Sequence, residues 1–176
     1  LSDPPYYTAC PNPFIEDYIR HYGKPYDSAV TYSKEPFTAD VSEGKNDPIY
    51  NAHSYHTKVP PRAIVRYILS YTEPGDVVFD GFCGTGMTAV AAQLCGDRSV
   101  IQALGYRVEA DGTILAAEDD NGKTVWRKFS KLGARRAIAN DLSPAATFIS
   151  YSYNRFKSPA ALEDTVKPIL AKVQRE

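Results

Sequence analysis

One stretch constrains this chain more than any other. Residues 76–88 read Asp76-Val77-Val78-Phe79-Asp80-Gly81-Phe82-Cys83-Gly84-Thr85-Gly86-Met87-Thr88: a short apolar run, a loop with three glycines, and the start of a helix-forming segment. The run Val77–Phe79 follows the turn Thr72-Glu73-Pro74-Gly75, and its length and composition predict a strand buried on both faces of a sheet. Gly81, Gly84 and Gly86 keep the following loop slim and permit backbone angles closed to other residues. The amide groups at the start of the next helix are then free to face a ligand. A strand, glycine loop and helix in this order bring a polar, nucleotide-like ligand close to the backbone at the carboxyl ends of parallel strands, which points to an α/β fold.

The spacing narrows the ligand. A phosphate-binding Walker loop needs Gly-Lys-Ser/Thr after the turn, whereas this chain has Gly86-Met87-Thr88, and the missing lysine argues against ATP or GTP. A dinucleotide site reads Gly-x-Gly-x-x-Gly, and Phe82-Cys83-Gly84-Thr85-Gly86 departs from it. The plain alternative is a tight strand–helix turn that binds nothing. The longer string Asp80-x-Phe82-x-Gly84-x-Gly86, set after Pro74-Gly75-Asp76 and an apolar strand, weighs against that alternative.

Composition adds bounds. The 176 residues suffice for one domain with a real core. A hydrophobic fraction of 43% and a charged fraction of 23% are ordinary for a soluble globular protein. The net charge of −1 advertises no nucleic acid in bulk but leaves room for a local basic patch. Cys10, Cys83 and Cys95 lie far apart and make neither a metal-type pair nor a disulfide framework, which fits a reducing cytoplasm. No apolar run approaches the roughly 20 residues of a membrane span, and no signal peptide is evident. Leu1 stands where an initiator Met is expected, as in a fragment or a processed piece.

Along the chain, residues 1–52 read as an arm. A short helix is predicted from Asn12 and Pro13 to Gly23, and residues 24–52 have no clear period and read as an ordered loop wrapping the core. Eight of the 13 tyrosines fall before residue 56; they serve either as amphipathic anchors for the arm or as stacking surfaces for bases. Residues 53–176 form the α/β domain. A helix starts near Pro60-Pro61, with Ile64, Ile68 and Tyr71 on one face and Arg62 and Arg66 on another. A second follows from about Thr85 to Leu94, stopped by Gly96. Residues 105–129 read as a hairpin insertion with turns at Asp111-Gly112 and Asn121-Gly122. Arg136–Asn140 is a second core strand, Asp141-Leu142-Ser143-Pro144 leads into a helix, and a last helix starts at Ser158-Pro159 and is kinked or split by Pro168.

With these motifs in view, the string Asp80-Gly81-Phe82-Cys83-Gly84-Thr85-Gly86 resembles the S-adenosylmethionine motif of the amino-methylating DNA methyltransferases, which act on N6 of adenine or N4 of cytosine. That family commonly has Asp-Pro-Phe at the start, so Gly81 is a departure that leaves the Phe-x-Gly-x-Gly core intact. His56-Thr57-Lys58-Val59-Pro60 is similar to the family's His-x-x-Lys-Pro segment, with one residue inserted between Lys and Pro; the resemblance implies that Lys58 contacts the methionine end of the cofactor. A solvated surface lysine is the other reading of Lys58 taken alone. In nucleotide-cofactor folds an acid after the second strand accepts bonds from ribose hydroxyls, and Asp141 fits that place; the hairpin accounts for its distance from Asp80, well beyond the roughly 20 residues of the simple fold. Asp141 also reads as a helix cap before Pro144, and the two roles are compatible.

The resemblance thus implies a Rossmann-like S-adenosylmethionine-dependent methyltransferase fold, partial in this chain, with a hairpin insertion. It implies cofactor contacts from Lys58, Asp80, Phe82, Gly84, Gly86, Thr88 and Asp141, no metal, and double-stranded DNA with its target base flipped out as substrate. The family's remaining motif, Asp/Ser/Asn-Pro-Pro-Tyr/Phe, accepts hydrogen bonds from the exocyclic amine and stacks on the flipped base. Asp3-Pro4-Pro5-Tyr6 matches it as a string. Only Leu1 and Ser2 precede that string, too little for the apolar strand it should cap, so the catalytic residues stay unassigned between this motif and further segments of a longer methylase polypeptide. Three other readings remain: a methyltransferase of the same fold acting on RNA or protein, a module that binds cofactor or DNA without catalysis, and, more remotely, a nicotinamide enzyme. Arg135, Arg136, Lys128 and Lys131 are candidates for phosphate contacts, with a solvated edge as the competing reading.

Overall fold

The computed structural model describes residues 14–25, 27–38, 46–56, 58–155 and 158–173. Two strands, β1 (Val77–Asp80) and β5 (Arg136–Ala139), pair in parallel with Val77 opposite Arg136 and Asp80 opposite Ala139. The chain between them supplies α4 (Met87–Leu94), α5 (Arg98–Ala103) and an antiparallel three-stranded sheet of β2 (Arg107–Val108), β3 (Thr113–Asp120) and β4 (Lys123–Lys131). Before β1 come α1 (Ile15–Tyr22), α2 (Pro48–Asn51) and α3 (Pro61–Tyr71); after β5 come α6 (Pro144–Asn154) and α7 (Pro159–Val173). Mixed strands and helices with a parallel pair agree with the α/β class.

The core lies where α3 and α4 meet. Val65, Ile68 and Leu69 of α3 pack with Ala91 and Ala92 of α4, Cys95, Ile101 of α5, Tyr106 and Ile114 of β3. Each fully buried Leu or Ile here contributes roughly 1.5–3 kcal/mol. The alanines of α4 let it approach the sheet closely, with Val78 and Ala137 packed against the same cluster. The buried stripe of α3 runs through Val65, Ile68 and Leu69 rather than the expected Ile64, Ile68 and Tyr71; Ile64 is half-buried and Tyr71 exposed. The two stripes are neighbours on one helix, and the position of α4 selects between them.

Several expectations are corrected. The strand β1 is not buried on both faces: Phe79 is 69% exposed. Side chains alternate along a strand, so Val78 meets the core and Phe79 turns to the uncovered side. The helix after the glycine loop begins at Met87, with Gly86 as its N-cap at φ +80°, two residues later than the propensity of Thr85 suggested. Residues 24–52 are not loop throughout, because Asp47 caps α2 by accepting from the amides of Ile49 and Tyr50 at 2.8 and 3.1 Å. The helix α5 was not foreseen either; Asp97 caps it through Ser99 and Val100. The first helix is described from Ile15 and ends at Gly23, while Asn12 and Pro13 lie outside the described residues. Pro168 sits inside α7, which continues through it to Val173.

The hairpin turns at Asn121-Gly122, both at positive φ, +54° and +78°. Its charges pair across the strands, Arg127 with Glu118 at 2.7 Å and with Asp120 at 3.9 Å. Arg107 lies over the Trp126 ring at 4.0 Å. At the amino ends of β1 and β5 the arm is fastened: Tyr22 packs under the Arg136 guanidinium at 4.1 Å, Lys24 pairs with Asp76, and Phe37 lies between Tyr67 and Phe129. These contacts make Tyr22 an anchor; Tyr6, Tyr7 and Tyr26 lie outside the described residues.

Candidate functional site

The glycine loop leaves the carboxyl end of β1 and is tied both to itself and to Asn140 and Asp141, which follow β5. Asp80 Oδ1 accepts from the Phe82 amide at 3.1 Å. The Cys83 amide donates to the Asn140 carbonyl at 2.9 Å, and Asn140 Nδ2 donates back to the Gly81 carbonyl at 3.1 Å. The Gly84 amide donates to Asp141 Oδ2 at 2.9 Å, and the Gly86 amide closes the turn on the Cys83 carbonyl at 2.8 Å. The other Asp141 oxygen accepts from the Ser143 amide at 2.9 Å. Asp141 is therefore not the cap of α6. That role falls to Ser143, whose hydroxyl accepts from Ala146, because Asp141 stands too far ahead of Pro144 and its carboxylate is turned to the glycine loop.

Two glycines are required by geometry. Gly84 has φ +52°, and a Cβ there would press on the Tyr55 ring at 3.2 Å. Gly86 has φ +80°, and its Cβ would strike the Ser150 hydroxyl, with Ser150 Cβ at 2.8 Å and Asn154 Nδ2 at 2.9 Å. It is the point where α4 and α6 touch. Gly81, the departure from the familiar Asp-Pro-Phe, has ordinary room for a side chain, its nearest neighbour being the Phe79 ring at 3.4 Å.

The loop forms one wall of a cleft of about 180 Å³. Of the residues expected to contact a ligand, Lys58, Asp80, Phe82, Gly84 and Thr88 line it. Gly86 and Asp141 do not line it; they hold the loop from behind. Tyr55, Val59, Ile64, Cys83, Thr85 and Met87 also line the cleft. The first two flank Lys58 in sequence and Cys83 and Thr85 fill the variable positions of the loop, so adjacency to the motifs was the signal available for them. His56 is exposed and does not line the cleft.

Lys58 is neither free nor simply solvated. Its ammonium donates to the carbonyls of Tyr50 and His53 and lies over the Tyr50 ring at 4.6 Å. An ammonium has three donors, so one remains for a ligand. The segment it gathers is fastened to α6: His53 Nδ1 meets the Tyr153 hydroxyl at 2.9 Å, and that hydroxyl donates to the Ile49 carbonyl at 3.3 Å. Burial, and after it the nearby Lys58 charge, lowers the His53 pKa and favours a neutral ring. Burial likewise raises the Tyr153 phenol and the Cys83 thiol, so Cys83 is a wall of the cleft rather than a thiolate. Two buried side-chain polar atoms have no hydrogen-bond partner among the described residues: His53 Nε2 and Thr85 Oγ1.

The proposed phosphate-binding cations divide. Arg135 is only 3% exposed and donates to the carbonyls of Thr72, Lys131 and Gly133 and to the hydroxyls of Thr72 and Ser130. Arg136 donates to the Gly75 carbonyl. Arg135 is occupied inside the fold, so neither reading of it, as a DNA contact or as a solvated edge, holds; Arg136 is half-buried, and Lys128 and Lys131 are exposed. The string Asp3-Pro4-Pro5-Tyr6 and Cys10 lie outside the described residues. Among the described residues no cluster of His, Cys, Asp and Glu is arranged to hold a metal ion, and no helix is long and apolar enough to cross a membrane.

A model of the N6/N4 DNA methylase family matches residues 29–109. This segment is similar to the DNA methylases. The methylase segment takes in Lys58, β1, the whole glycine loop and α4, and it ends before β3; Asp141 and Asp3–Tyr6 fall outside it. No curated protein and no solved structure gives a comparable match.

Proposed function

We propose that the chain forms the cofactor-binding part of an S-adenosylmethionine-dependent DNA methyltransferase that modifies an exocyclic amino group, N6 of adenine or N4 of cytosine. The observation that carries this reading is the coincidence of the methylase segment with the cleft: every cleft-lining residue lies within 29–109. The parallel β1–β5 pair, with the loop at its carboxyl ends, supports a Rossmann-like arrangement for residues 53–176, with residues 105–129 as an insertion and 1–52 as an arm.

The residues suit such a cofactor. When bound, it supplies an electrophilic methyl group on a sulfonium. Lys58 offers its remaining donor to the carboxylate of the methionine end. Asp80 lies beside Phe82, which is 88% exposed, so an acceptor for hydroxyl groups adjoins a flat apolar surface. Thr88 adds a hydroxyl to the same wall. Gly84 keeps the wall thin, since a Cβ would already meet Tyr55. Asp141 acts from behind the wall, holding the loop through the Gly84 amide and leaving Asp80 as the carboxylate that lines the cleft. The base amine, conjugated with its ring, needs a hydrogen-bond acceptor to localise its lone pair, and in this chain Asp3-Pro4-Pro5-Tyr6 is the string with the right chemistry.

The test is transfer of labelled methyl from S-adenosylmethionine to duplex DNA, with RNA and protein as parallel acceptors, followed by nucleoside analysis. N6-methyladenine or N4-methylcytosine in the DNA is the expected product; loss of transfer in Asp3→Ala would assign the catalytic motif to Asp3–Tyr6, and retained transfer would assign it to another segment. Label in RNA or protein alone would move the chain to another substrate class. Cofactor binding with no transfer to any acceptor would make it a binding module.

A further inference from the structure

The last turn of α6 reaches both walls of the cleft. Asn154 serves the glycine-loop side. Its Nδ2 donates to the Gly86 carbonyl at 3.4 Å and to the Ser150 carbonyl at 2.8 Å, and its Oδ1 accepts from Gln93 of α4 at 2.8 Å. Tyr153 serves the opposite wall: its hydroxyl meets His53 Nδ1 at 2.9 Å and donates to the Ile49 carbonyl at 3.3 Å. Successive residues of a helix point about 100° apart, so one turn can brace two segments. Both residues lie beyond the stretch 29–109 that matches the methylases.

The wall that Tyr153 holds has little to fix it from within. Its helix α2 has four residues, against the roughly 12–15 that an isolated helix needs. Lys58 ties the Tyr50 and His53 carbonyls together, which closes the segment on itself. Asp47 pairs with Arg62 of α3 at 3.4 Å and anchors its start; Ile49 and His53, meeting Tyr153, anchor its middle. The Tyr153 hydroxyl has one proton and gives it to Ile49, so it accepts from His53 Nδ1–H. That tautomer leaves His53 Nε2 as a buried acceptor with no partner among the described residues. Tyr55 of the same segment stands against the glycine loop, where its ring is 3.2 Å from the place of a Cβ on Gly84. A shift of this segment therefore changes the width of the cleft.

We propose that Tyr153 is a positioning residue which, acting through His53 and the Ile49 carbonyl, sets the wall formed by the Lys58 segment against the wall formed by the glycine loop. Its mechanical role is independent of the ligand; the consequence for S-adenosylmethionine rests on the cofactor reading above.

Hydrogen exchange of the ligand-free protein and calorimetric titration with S-adenosylmethionine test it on four single variants. Tyr153→Phe removes the hydroxyl alone, and His53→Ala removes the ring it meets. His53→Asn returns an N–H donor near the Nδ1 position. Tyr151→Phe is the control, a hydroxyl of the same helix whose partner is Arg155. In Tyr153→Phe and His53→Ala the amides of residues 49–56 should exchange about tenfold faster, with β1 and α4 unchanged, and the S-adenosylmethionine Kd should weaken about fivefold to tenfold. His53→Asn and Tyr151→Phe should stay within about twofold of wild type in both measurements. Combining Tyr153→Phe with His53→Ala should add less than about twofold to either alone, because the link is already broken. Wild-type exchange of residues 49–56 in Tyr153→Phe overturns the assignment. So does exchange that rises equally in β1 and α4, the mark of a general loosening, and so does a faster wall with an unchanged Kd. Wild-type protein that binds no S-adenosylmethionine overturns the cofactor reading instead, and the exchange of residues 49–56 then decides the role of Tyr153.

Discussion

At the amino ends of β1 and β5, Arg135 gives its guanidinium to three backbone carbonyls and two hydroxyls and is sealed from water. At the carboxyl ends, Lys58 also gives protons to two carbonyls but lines an open cleft with a donor to spare. Both cations look alike in the sequence, as basic residues near turns. The first ties the end of α3 to the base of the hairpin. The second gathers residues 50–58 at the wall of the cleft. A cation whose donors are all met by neutral acceptors is part of the scaffold, while one that keeps a donor beside a cleft belongs to a site. The glycine loop combines the two: the amides of Phe82, Cys83, Gly84 and Gly86 are taken up within the protein, and Asp80, Phe82 and Thr88 line the cleft.

The largest effect should come from breaking the closed end. Arg135→Met strands several buried acceptors and is expected to cost about 3 kcal/mol or more in denaturant unfolding, while the folded protein keeps wild-type affinity for S-adenosylmethionine. A loss under about 1 kcal/mol would erase the contrast between the two ends. Next comes Gly86→Ala, where a positive φ and contact with Ser150 and Asn154 should together cost about 2 kcal/mol by thermal or chemical unfolding. Gly81→Ala, with room at 3.4 Å, should stay within about 0.5 kcal/mol of wild type in the same experiment. Equal effects at the two glycines would show that the loop is not braced as described.

The smallest effect is a pH dependence at the latch between His53 and Tyr153. The folded pKa of His53 is lowered, so its neutral form is favoured in the native state. Above the unfolded value of about 6.5 the ring is neutral in both states and the latch is intact. As pH falls through that value toward the lower folded one, the unfolded chain takes up the proton first and stability drops. Melting temperatures between pH 8 and pH 5, roughly the histidine range, should fall more for wild type than for His53→Gln; matched curves would remove the histidine from the account.

The glycine loop and its flanking strand and helix were legible because they depend on local rules: an apolar run, a turn, and glycines where φ must be positive. The Asn121-Gly122 hairpin was legible for the same reason. What stayed hidden depends on partners distant in sequence. Nothing local to Arg135 says that its guanidinium turns to Thr72, and nothing local to Asp141 says that it reaches Gly84, 57 positions away. The exposure of Phe79 depends on whether a second layer covers the strand, which a three-residue apolar run does not specify. The short helices α2 and α5 were missed although each has an aspartate cap, Asp47 and Asp97, since both begin inside stretches whose prolines or glycines read as loop.

The central claim is that S-adenosylmethionine sits at the carboxyl ends of β1 and β5, against the glycine loop. Hydrogen exchange with and without S-adenosylmethionine tests it most directly. The account predicts slowed exchange in residues 80–89 and in the Lys58 segment, with strands β3 and β4 of the hairpin unchanged. Protection confined to the hairpin, or protection of the loop by NAD but not by S-adenosylmethionine, would contradict it.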